Sequence, residues 1–294
     1  MLVFSGSSNG SLAKRLAVKL KTRLGQVELS RFANDEARVW VKEKDVGRKA
    51  VVVQSLSQPT DHHLVELCLL IDGLKRKGVE EVIGVIPWMG YSKQDKVFRK
   101  GEPLSIAVVA KILNGVGFKK MITFDLHNPQ SIKFFKTRLI NLSARSLMVE
   151  CFKRQVDEET VVVVPDKGGV KLSKEFAKDL GIAVAYLDKE RDLSTGKVTV
   201  KGIKGEVENK RVLMIDDIMA TGGTLIEAAK YLRVKGVQSI KVGVTHHLYV
   251  PGVQKKIDGS AIDSLVVTDT VEPKEKSKKL EIIRVVDLIA GELA

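Results

Sequence analysis

Short β-branched runs alternate with segments of helical periodicity along most of the chain. Apolar residues three and four positions apart predict helices at Leu64–Lys77, Leu104–Val116, Lys171–Leu180 and Thr224–Lys235. Continuously apolar strands suit a parallel sheet that helices cover on both faces, so this order predicts a doubly wound α/β fold. The predicted strands are Ala50–Gln54, Glu81–Ile86, Met121–Phe124, Thr160–Val164, Ala183–Leu187, Val212–Ile215, Ile240–Val244 and Ser264–Val267.

The two halves of the 294-residue chain repeat the same order of elements. In each half a strand ends in a proline-containing turn, a helix follows, and a second strand ends in acidic residues. We therefore predict two tandem domains, residues 1–143 and 144–294, with the junction near Asn141–Ser146. Residues 272–279 read as a lysine-rich loop, and Leu280–Leu293 as a closing amphipathic segment. The stretch 193–206, rich in glycine and lysine, is expected to form a mobile arm.

The composition narrows the class of partner. Net charge is +13, from 49 basic and 36 acidic residues, which suits either nucleic acid or phosphorylated metabolites. The lysines are scattered and aromatic residues make up only 5%, so we expect polyphosphate attraction and no nucleic-acid partner. No apolar run approaches the roughly 20 residues that span a bilayer. Cys68 and Cys151 lack metal-ligand spacing and indicate reduced thiols, so we expect a cytoplasmic protein without a membrane partner.

The stretch "VLMIDDIMATGGT", Val212 to Thr224, combines two acids with a glycine turn. Amides that point at the start of a helix form an anion site, and hydroxyls at Thr221 and Thr224 add donors. Asp216 and Asp217 would repel a bare phosphate but suit vicinal sugar hydroxyls. A ribose 5-phosphate satisfies both halves of the motif, whereas an ordinary capped turn explains only the glycines.

Other polar segments leave two interpretations open when they are taken alone. "FANDE" from Phe32 fits a turn between two strands, or an aromatic plate beside groups that contact base edges. "SKQDKVFRKGE" from Ser92 fits a solvated loop or a polyphosphate contact. A lone histidine such as His127 is more often structural than a metal ligand. Lys189 and Arg191, two residues apart, fit an exposed charged hairpin or a pair of cations that close over a reacting polyphosphate.

Together these motifs resemble the ribose-phosphate diphosphokinase family, also called phosphoribosyl pyrophosphate (PRPP) synthases. The resemblance runs nearly the whole length, through "RFANDEARV", "PWMGYSKQDKVFRKGEPLS", "FDLHNPQSIKFF", "VVVVPDKGGV", "LDKERD" and "VLMIDDIMATGGT". It implies two phosphoribosyltransferase-like domains, with ATP bound by the first and ribose 5-phosphate by the second. Two positions depart from the family pattern: Lys93 stands where most members have arginine, and Ala220 stands where many have an acidic or hydroxyl residue.

The resemblance also implies roles for individual residues. Lys189 and Arg191 become the catalytic pair, and His127 and Asp166 the Mg²⁺ ligands. Ribose 5-phosphate is assigned to Asp216, Asp217, Ala220, Thr221, Gly222, Gly223 and Thr224. ATP is assigned to Phe32, Asn34, Asp35, Glu36, Lys93, Gln94 and Asp95, with the Phe32 loop contributed from a neighbouring subunit of a homo-oligomer.

The implied reaction transfers the β,γ-diphosphoryl group of MgATP to the 1-hydroxyl of ribose 5-phosphate, giving PRPP and AMP. Three alternatives remain: a phosphoribosyltransferase that consumes PRPP, a silent regulatory subunit, and a nucleic-acid-binding relative. A phosphoribosyltransferase needs no ATP site. A silent relative is expected to have lost His127, Lys189 or Arg191, and all three are present. A nucleic-acid binder shows steeply salt-dependent binding.

Overall fold

Strands and helices follow one another in the predicted alternation, with additional elements between them. The computed structural model describes residues 1–166, 168–191 and 198–293, and it leaves out the side chains of residues 189–191 and 198–199. The chain divides into two units: Met1–Ser143 with Asp269–Glu272 and Arg284–Ala294, and Ala144–Thr268 with Pro273–Ile283.

The first unit contains a five-stranded parallel sheet in the order β1-β4-β5-β6-β7. A separate antiparallel hairpin, β2–β3, packs beside helix α2. The elements of this unit are β1 Leu2–Ser5, α1 Gly10–Lys19, β2 Val27–Arg31, β3 Ala37–Val41, β4 Lys49–Val53, α2 Thr60–Arg76, β5 Glu81–Val85, α3 Ser105–Val116, β6 Lys120–Phe124, a 3-10 helix Pro129–Phe134, β7 Arg138–Leu142 and α8 Val286–Gly291.

The second unit contains a seven-stranded sheet in the order β10-β9-β8-β11-β12-β13-β14, parallel except for β10. Its elements are α4 Arg145–Lys153, β8 Thr160–Val164, α5 Val170–Leu180, β9 Ala183–Arg191, β10 Val198–Lys204, β11 Arg211–Met219, α6 Gly223–Val234, β12 Ser239–His247, α7 Val253–Asp258, β13 Ser264–Thr268 and β14 Leu280–Ile283.

Helices cover both faces of the second sheet, which explains why its central strands are continuously apolar. Val161 and Val163 pack into one hydrophobic cluster with α6 and α7, while Val162 packs into another with Phe152 and Phe176 of α4 and α5. All five residues of β8 are buried. The predicted α/β fold, with two domains built on mainly parallel sheets, is confirmed.

Three sequence expectations about elements are corrected. The strand predicted at Val212–Ile215 continues to Met219, so Asp216 and Asp217 lie within β11 and not after it. The expected mobile arm includes a regular strand, β10, paired antiparallel with β9, and residues 192–197 lie outside the described residues. The segment Leu280–Leu293 is not one amphipathic element, because it divides into β14 and α8. Within the described ranges, no helix has both the length and the apolar character needed to cross a membrane.

Candidate active site

The sheet of the second unit reverses its strand order between β8 and β11. From β8 the chain adds β9 and β10 on one side, and from β11 it adds β12, β13 and β14 on the other. In open α/β sheets, ligands bind at such a switch point, outside the carboxyl ends of the strands. Asp166 lies two residues after the end of β8, and Asp216 lies in the carboxyl-terminal half of β11. The sequence-predicted ribose residues and Asp166 therefore meet at the position where this fold binds ligands.

Three carboxylates crowd this switch point. Burial raises the pKa of Asp216 well above its usual value, and the negative charges of Asp217 and Asp166 raise this pKa further. The backbone N–H of Asp217 donates to Asp216 Oδ1 at 2.9 Å, which offsets only part of the cost. An acid in this position is poorly solvated, so groups that donate hydrogen bonds or carry positive charge stabilise it. Sugar hydroxyls and a hydrated cation are both suitable partners.

The glycine turn after β11 leaves the backbone accessible to an anion. Gly222 has φ 70°, a left-handed conformation that favours glycine, and it is the cap residue of α6. A Cβ added to Gly223 would find only Thr221 Oγ1 within 4 Å, at 3.8 Å, so the backbone here is open to a ligand. The amino end of the 12-residue helix α6 favours negative charge. The turn therefore suits a phosphate.

Asp166 begins a second tight turn at the same edge of the sheet. Its Oδ1 accepts a hydrogen bond from the N–H of Gly169, at 3.0 Å, and this holds the carboxylate over the start of α5. Below it, the fully buried Ser173 hydroxyl has no hydrogen-bond partner among the described residues. Sequence reasoning did not single out Ser173. The available sequence signal is its position: Ser173 lies in the first turn of a helix that follows Gly-Gly, where its hydroxyl can donate a hydrogen bond.

In the first unit, a side-chain hydrogen bond joins the loops that follow β5 and β6. Asn128 Nδ2 donates to Asp95 Oδ2 at 2.7 Å. Ser105 Oγ donates to Gln94 Oε1 at 2.6 Å, so Gln94 fixes the start of α3. Lys93 and His127 are exposed on these two loops. Sequence reasoning missed Asn128, although it lies inside the motif "FDLHNPQSIKFF", because its hydrogen-bond partner Asp95 is 33 positions away in the chain.

Backbone strain marks the same edge of the first sheet. Asp125, the residue that follows β6, has φ 32°, and Tyr91 in the loop after β5 has φ 65°. Residues other than glycine rarely adopt positive φ values, and residues that do so concentrate at functional sites. The Tyr91 hydroxyl donates to Asp61 Oδ1 of helix α2, which anchors the strained loop.

The predicted adenine-binding residues form the turn of the β2–β3 hairpin. The N–H of Phe32 donates to the carbonyl oxygen of Glu36, and the N–H of Asp35 donates to that of Phe32, both at 2.9 Å. Asp35 has φ 68°, and Asn34 Oδ1 accepts from the N–H of Glu36 at 3.4 Å. The turn between two strands is therefore present, and its exposed side chains leave the base-binding interpretation open.

The predicted catalytic pair lies on β9, next to β10. The backbone of Lys189 is paired with Val200, and that of Arg191 with Val198. The register of the pairing shifts between Val200 and Gly202, so the ladder is irregular beside the predicted pair. The side chains of Lys189 and Arg191 lie outside the described residues, so their catalytic role stays a prediction.

The predicted metal ligands belong to different units, His127 to the first and Asp166 to the second. Among the described residues, no group of three His, Cys, Asp or Glu side chains is arranged to hold a metal. Magnesium needs few protein ligands because it retains waters and binds substrate phosphates. The carboxylates at the switch point supply the oxygen ligands that Mg²⁺ prefers, so these residues fit this ion.

Comparisons with known proteins cover nearly the whole chain. Residues 1–117 match the family described as the N-terminal domain of ribose phosphate pyrophosphokinase, and residues 134–275 match the phosphoribosyl transferase domain. A ribose-phosphate pyrophosphokinase of Thermotoga maritima is 36% identical over 292 residues, which cover 98% of this chain and 92% of the relative. One from Pyrococcus furiosus is 37% identical over 264 residues, covering 89% and 92%.

A solved structure extends this match to three dimensions. The crystal structure of phosphoribosylpyrophosphate synthetase from Mycobacterium smegmatis superposes with a TM-score of 0.91 at 28% identity, covering 99% of this chain and 97% of that one. Sequence, order of domains and fold agree over nearly the full length. The chain belongs to the ribose-phosphate pyrophosphokinase family.

Proposed function

We propose that the protein transfers the β,γ-diphosphoryl group of ATP to the 1-hydroxyl of ribose 5-phosphate, giving PRPP and AMP for nucleotide biosynthesis. The observation that carries the proposal is the switch point of the second sheet. There, carboxylates that suit a sugar diol stand beside an open glycine turn that suits a phosphate. Family membership supports the same reaction.

Ribose 5-phosphate would bind with its hydroxyls on Asp216 and Asp217. Its phosphate would lie on the amides of Ala220, Gly222 and Gly223 and the hydroxyls of Thr221 and Thr224. Hydrogen bonds from the sugar relieve the electrostatic cost that Asp216 carries in the free protein. Ala220 contributes only its backbone amide, which is sufficient because loop amides bind phosphate without a side chain.

ATP would bind to the first unit, with its base on Phe32, Asn34, Asp35 and Glu36 and its phosphates toward Lys93, Gln94 and Asp95. Lys93 offers a point charge where most family members offer the planar fork of arginine. His127 and Asp166 would hold Mg²⁺, which when bound neutralises charge on the phosphate oxygens. In the chemical step, the 1-hydroxyl would lose its proton to solvent and its oxygen would form a bond to the β-phosphorus. The bond between the β-phosphorus and the oxygen that bridges to the α-phosphorus would break, and AMP would leave with that oxygen.

Lys189 and Arg191 would stabilise the charge that develops on the transferred group. Two cations two residues apart on one strand can approach a polyphosphate from one side and exclude water. We further propose that the chain acts in the cytoplasm, because its two cysteines form no disulfide and suit a reducing compartment. We also propose that it acts as a homo-oligomer.

Product analysis tests the reaction. Purified protein is incubated with ATP, Mg²⁺ and ribose 5-phosphate, and the products are identified by mass. Ribose 5-phosphate that has gained a diphosphoryl group is expected, together with AMP. Formation of ADP, with one phosphoryl group transferred or released as orthophosphate, or dependence on a free base, contradicts the proposal.

Substitution of Lys189 tests the catalytic role. Lys189→Ala is expected to lower kcat by about two to three orders of magnitude, as for removal of one preorganised charge-stabilising group, while the Kd for ATP changes little. Lys204→Ala, at the far end of β10, is the matched control and should retain activity. An unchanged kcat in Lys189→Ala would exclude this residue from the chemistry.

A further inference from the structure

The outward face of the β2–β3 hairpin carries two aromatic side chains, each with a cation over its ring. The guanidinium carbon of Arg38 lies 5.7 Å from the centroid of the Phe32 ring. Lys42 Nζ lies 4.8 Å from the centroid of the Trp40 ring. Phe32 is 52% exposed and Trp40 is 53% exposed, so neither ring is buried in the protein core.

The register of the hairpin places these cations away from the core. Val39 is paired with Leu29 and packs against the core of the first unit. Arg38 and Trp40, on either side of Val39, point to the opposite face, because successive side chains of a strand alternate. Arg38 is paired with Ser30, whose side chain is too short to cover the ring.

The backbone of the turn is fixed, but the Phe32 side chain depends on its neighbours. Hydrogen bonds between Phe32, Asp35 and Glu36 hold the main chain. Among the described residues, the hydrophobic side chains that pack on the core of this unit do not include Phe32. A cation over one face of the ring restricts its rotation and occupies that face. Because Phe32 is 52% exposed, ring surface is left for a planar ligand.

We infer that Arg38 is a positioning residue for nucleotide binding: it holds Phe32 from one side so that the base of ATP stacks on the other. This inference rests on the proposed function for the identity of the ligand. Arg38 itself does not contact the nucleotide in this arrangement. It acts through the ring, and its effect therefore depends on the presence of Phe32.

A double-mutant cycle on the full chain tests the inference, with MgATP alone as the probe in calorimetry. Arg38→Ala is expected to raise the Kd for ATP about two- to fivefold, the range of an exposed cation–π contact. In a Phe32→Ala background, Arg38→Ala should produce no further change. Arg38→Lys should restore part of the affinity, because a cation remains while the planar group is lost.

Lys42→Ala is the matched control, since it removes the same kind of contact from Trp40 on the same face. It should leave the Kd for ATP unchanged. Steady-state kinetics of Arg38→Ala should show a raised KM for ATP, with kcat and the KM for ribose 5-phosphate unaltered.

Three results would overturn the inference. The first is an unchanged Kd in Arg38→Ala. The second is an equal loss of affinity in the presence and absence of Phe32, which indicates a direct contact of Arg38 with the phosphates. The third is a wild-type chain that does not bind ATP, which would contradict the proposed function as well. Failure of the proposed function alone is distinguishable from all three results, because the wild type would then bind ATP and release no AMP when ribose 5-phosphate is added.

Discussion

At the scale of single residues, the sequence identified the groups that lie at the switch point but not the contacts that hold them. Asp216, Asp217 and the Thr-Gly-Gly-Thr turn were recognisable because acids beside glycines have few structural explanations. Asn128 and Ser173 were not, because their significance depends on a neighbour from another loop or on burial. Amino-acid type is visible in a sequence, whereas the partner of a polar atom is set by the tertiary fold.

Thr224 gives a direct test of the phosphate turn. Thr224→Val retains the shape of the side chain and removes the hydroxyl, so we expect the KM for ribose 5-phosphate to rise about tenfold or more, the effect of losing a hydrogen bond to a charged group. Thr224→Ser retains the hydroxyl and should stay close to the wild type. Steady-state kinetics with each substrate varied in turn provide the measurement. A selective rise in the KM for ATP would contradict the assignment of this turn.

His247 predicts a dependence of stability on pH. Burial lowers its pKa from 6.5 to about 4, and a hydrogen bond with Gln254 opposes this shift. Between these values the unfolded chain binds more protons than the folded one, so the free energy of unfolding falls as pH falls from about 6.5 to about 4. The loss from this residue is about 2–4 kcal/mol. Urea denaturation of His247→Gln across this range should show a flatter pH dependence than the wild type, and parallel curves would contradict the prediction.

At the scale of elements, the sequence located the buried central strands and missed strands at the edges of the sheets. β8 was predicted with its observed bounds because all five of its residues are buried. The missed strands include β2 and β3, which form a hairpin outside the two main sheets, and β7, β10 and β14, which are edge strands of those sheets. Edge strands and hairpins mix polar and apolar residues, since one face meets water. They therefore lack the continuous apolar run that marks a central strand.

Helix α1 illustrates an element whose end is stabilised from far along the chain. The N–H groups of Gly10 and Ser11 donate to the two carboxylate oxygens of Glu272, both at 3.0 Å. Glu272→Ala removes this cap and should lower the free energy of unfolding by about 1 kcal/mol. Glu275→Ala, in the same loop, is the matched control and should have a smaller effect. Chemical denaturation with urea measures both, and equal values would show that the cap contributes nothing.

At the scale of the whole molecule, the chain does not divide at a single point. Asp269–Glu272 and Arg284–Ala294 belong to the first unit, although the strands before and between them belong to the second. Asp269 is fully buried, and Arg15 donates to its Oδ2 at 2.6 Å while the N–H of Val285 donates to its Oδ1 at 2.8 Å. Asn9 donates to the carbonyl oxygen of Asp269 at 2.9 Å. Contacts some 250 positions apart leave no local signal in a sequence.

These contacts predict that residues 1–143 alone do not form a stable domain. A fragment that ends at residue 143 loses the buried carboxylate that pairs with Arg15 and the acceptor of Asn9. Loss of a hydrogen bond to a charged group costs about 1.5–3 kcal/mol, an appreciable part of the 5–15 kcal/mol that stabilises a typical domain. Near-ultraviolet circular dichroism of the fragment should therefore lack the fixed tertiary signal of the full chain.

Asp269→Asn in the full chain separates the ion pair from the effects of truncation. It retains the size of the side chain and removes its charge, so we expect the free energy of unfolding to fall by about 1.5–3 kcal/mol, the contribution of a hydrogen bond to a charged group. Lys19→Ala is the matched control, because its ion pair with Asp287 also joins α1 to α8, but both side chains are more than half exposed. Such pairs contribute about 0–1 kcal/mol. If the two variants lose equal stability, or if the fragment unfolds cooperatively at the denaturant concentration of the full chain, the returning segments are not what completes the first unit.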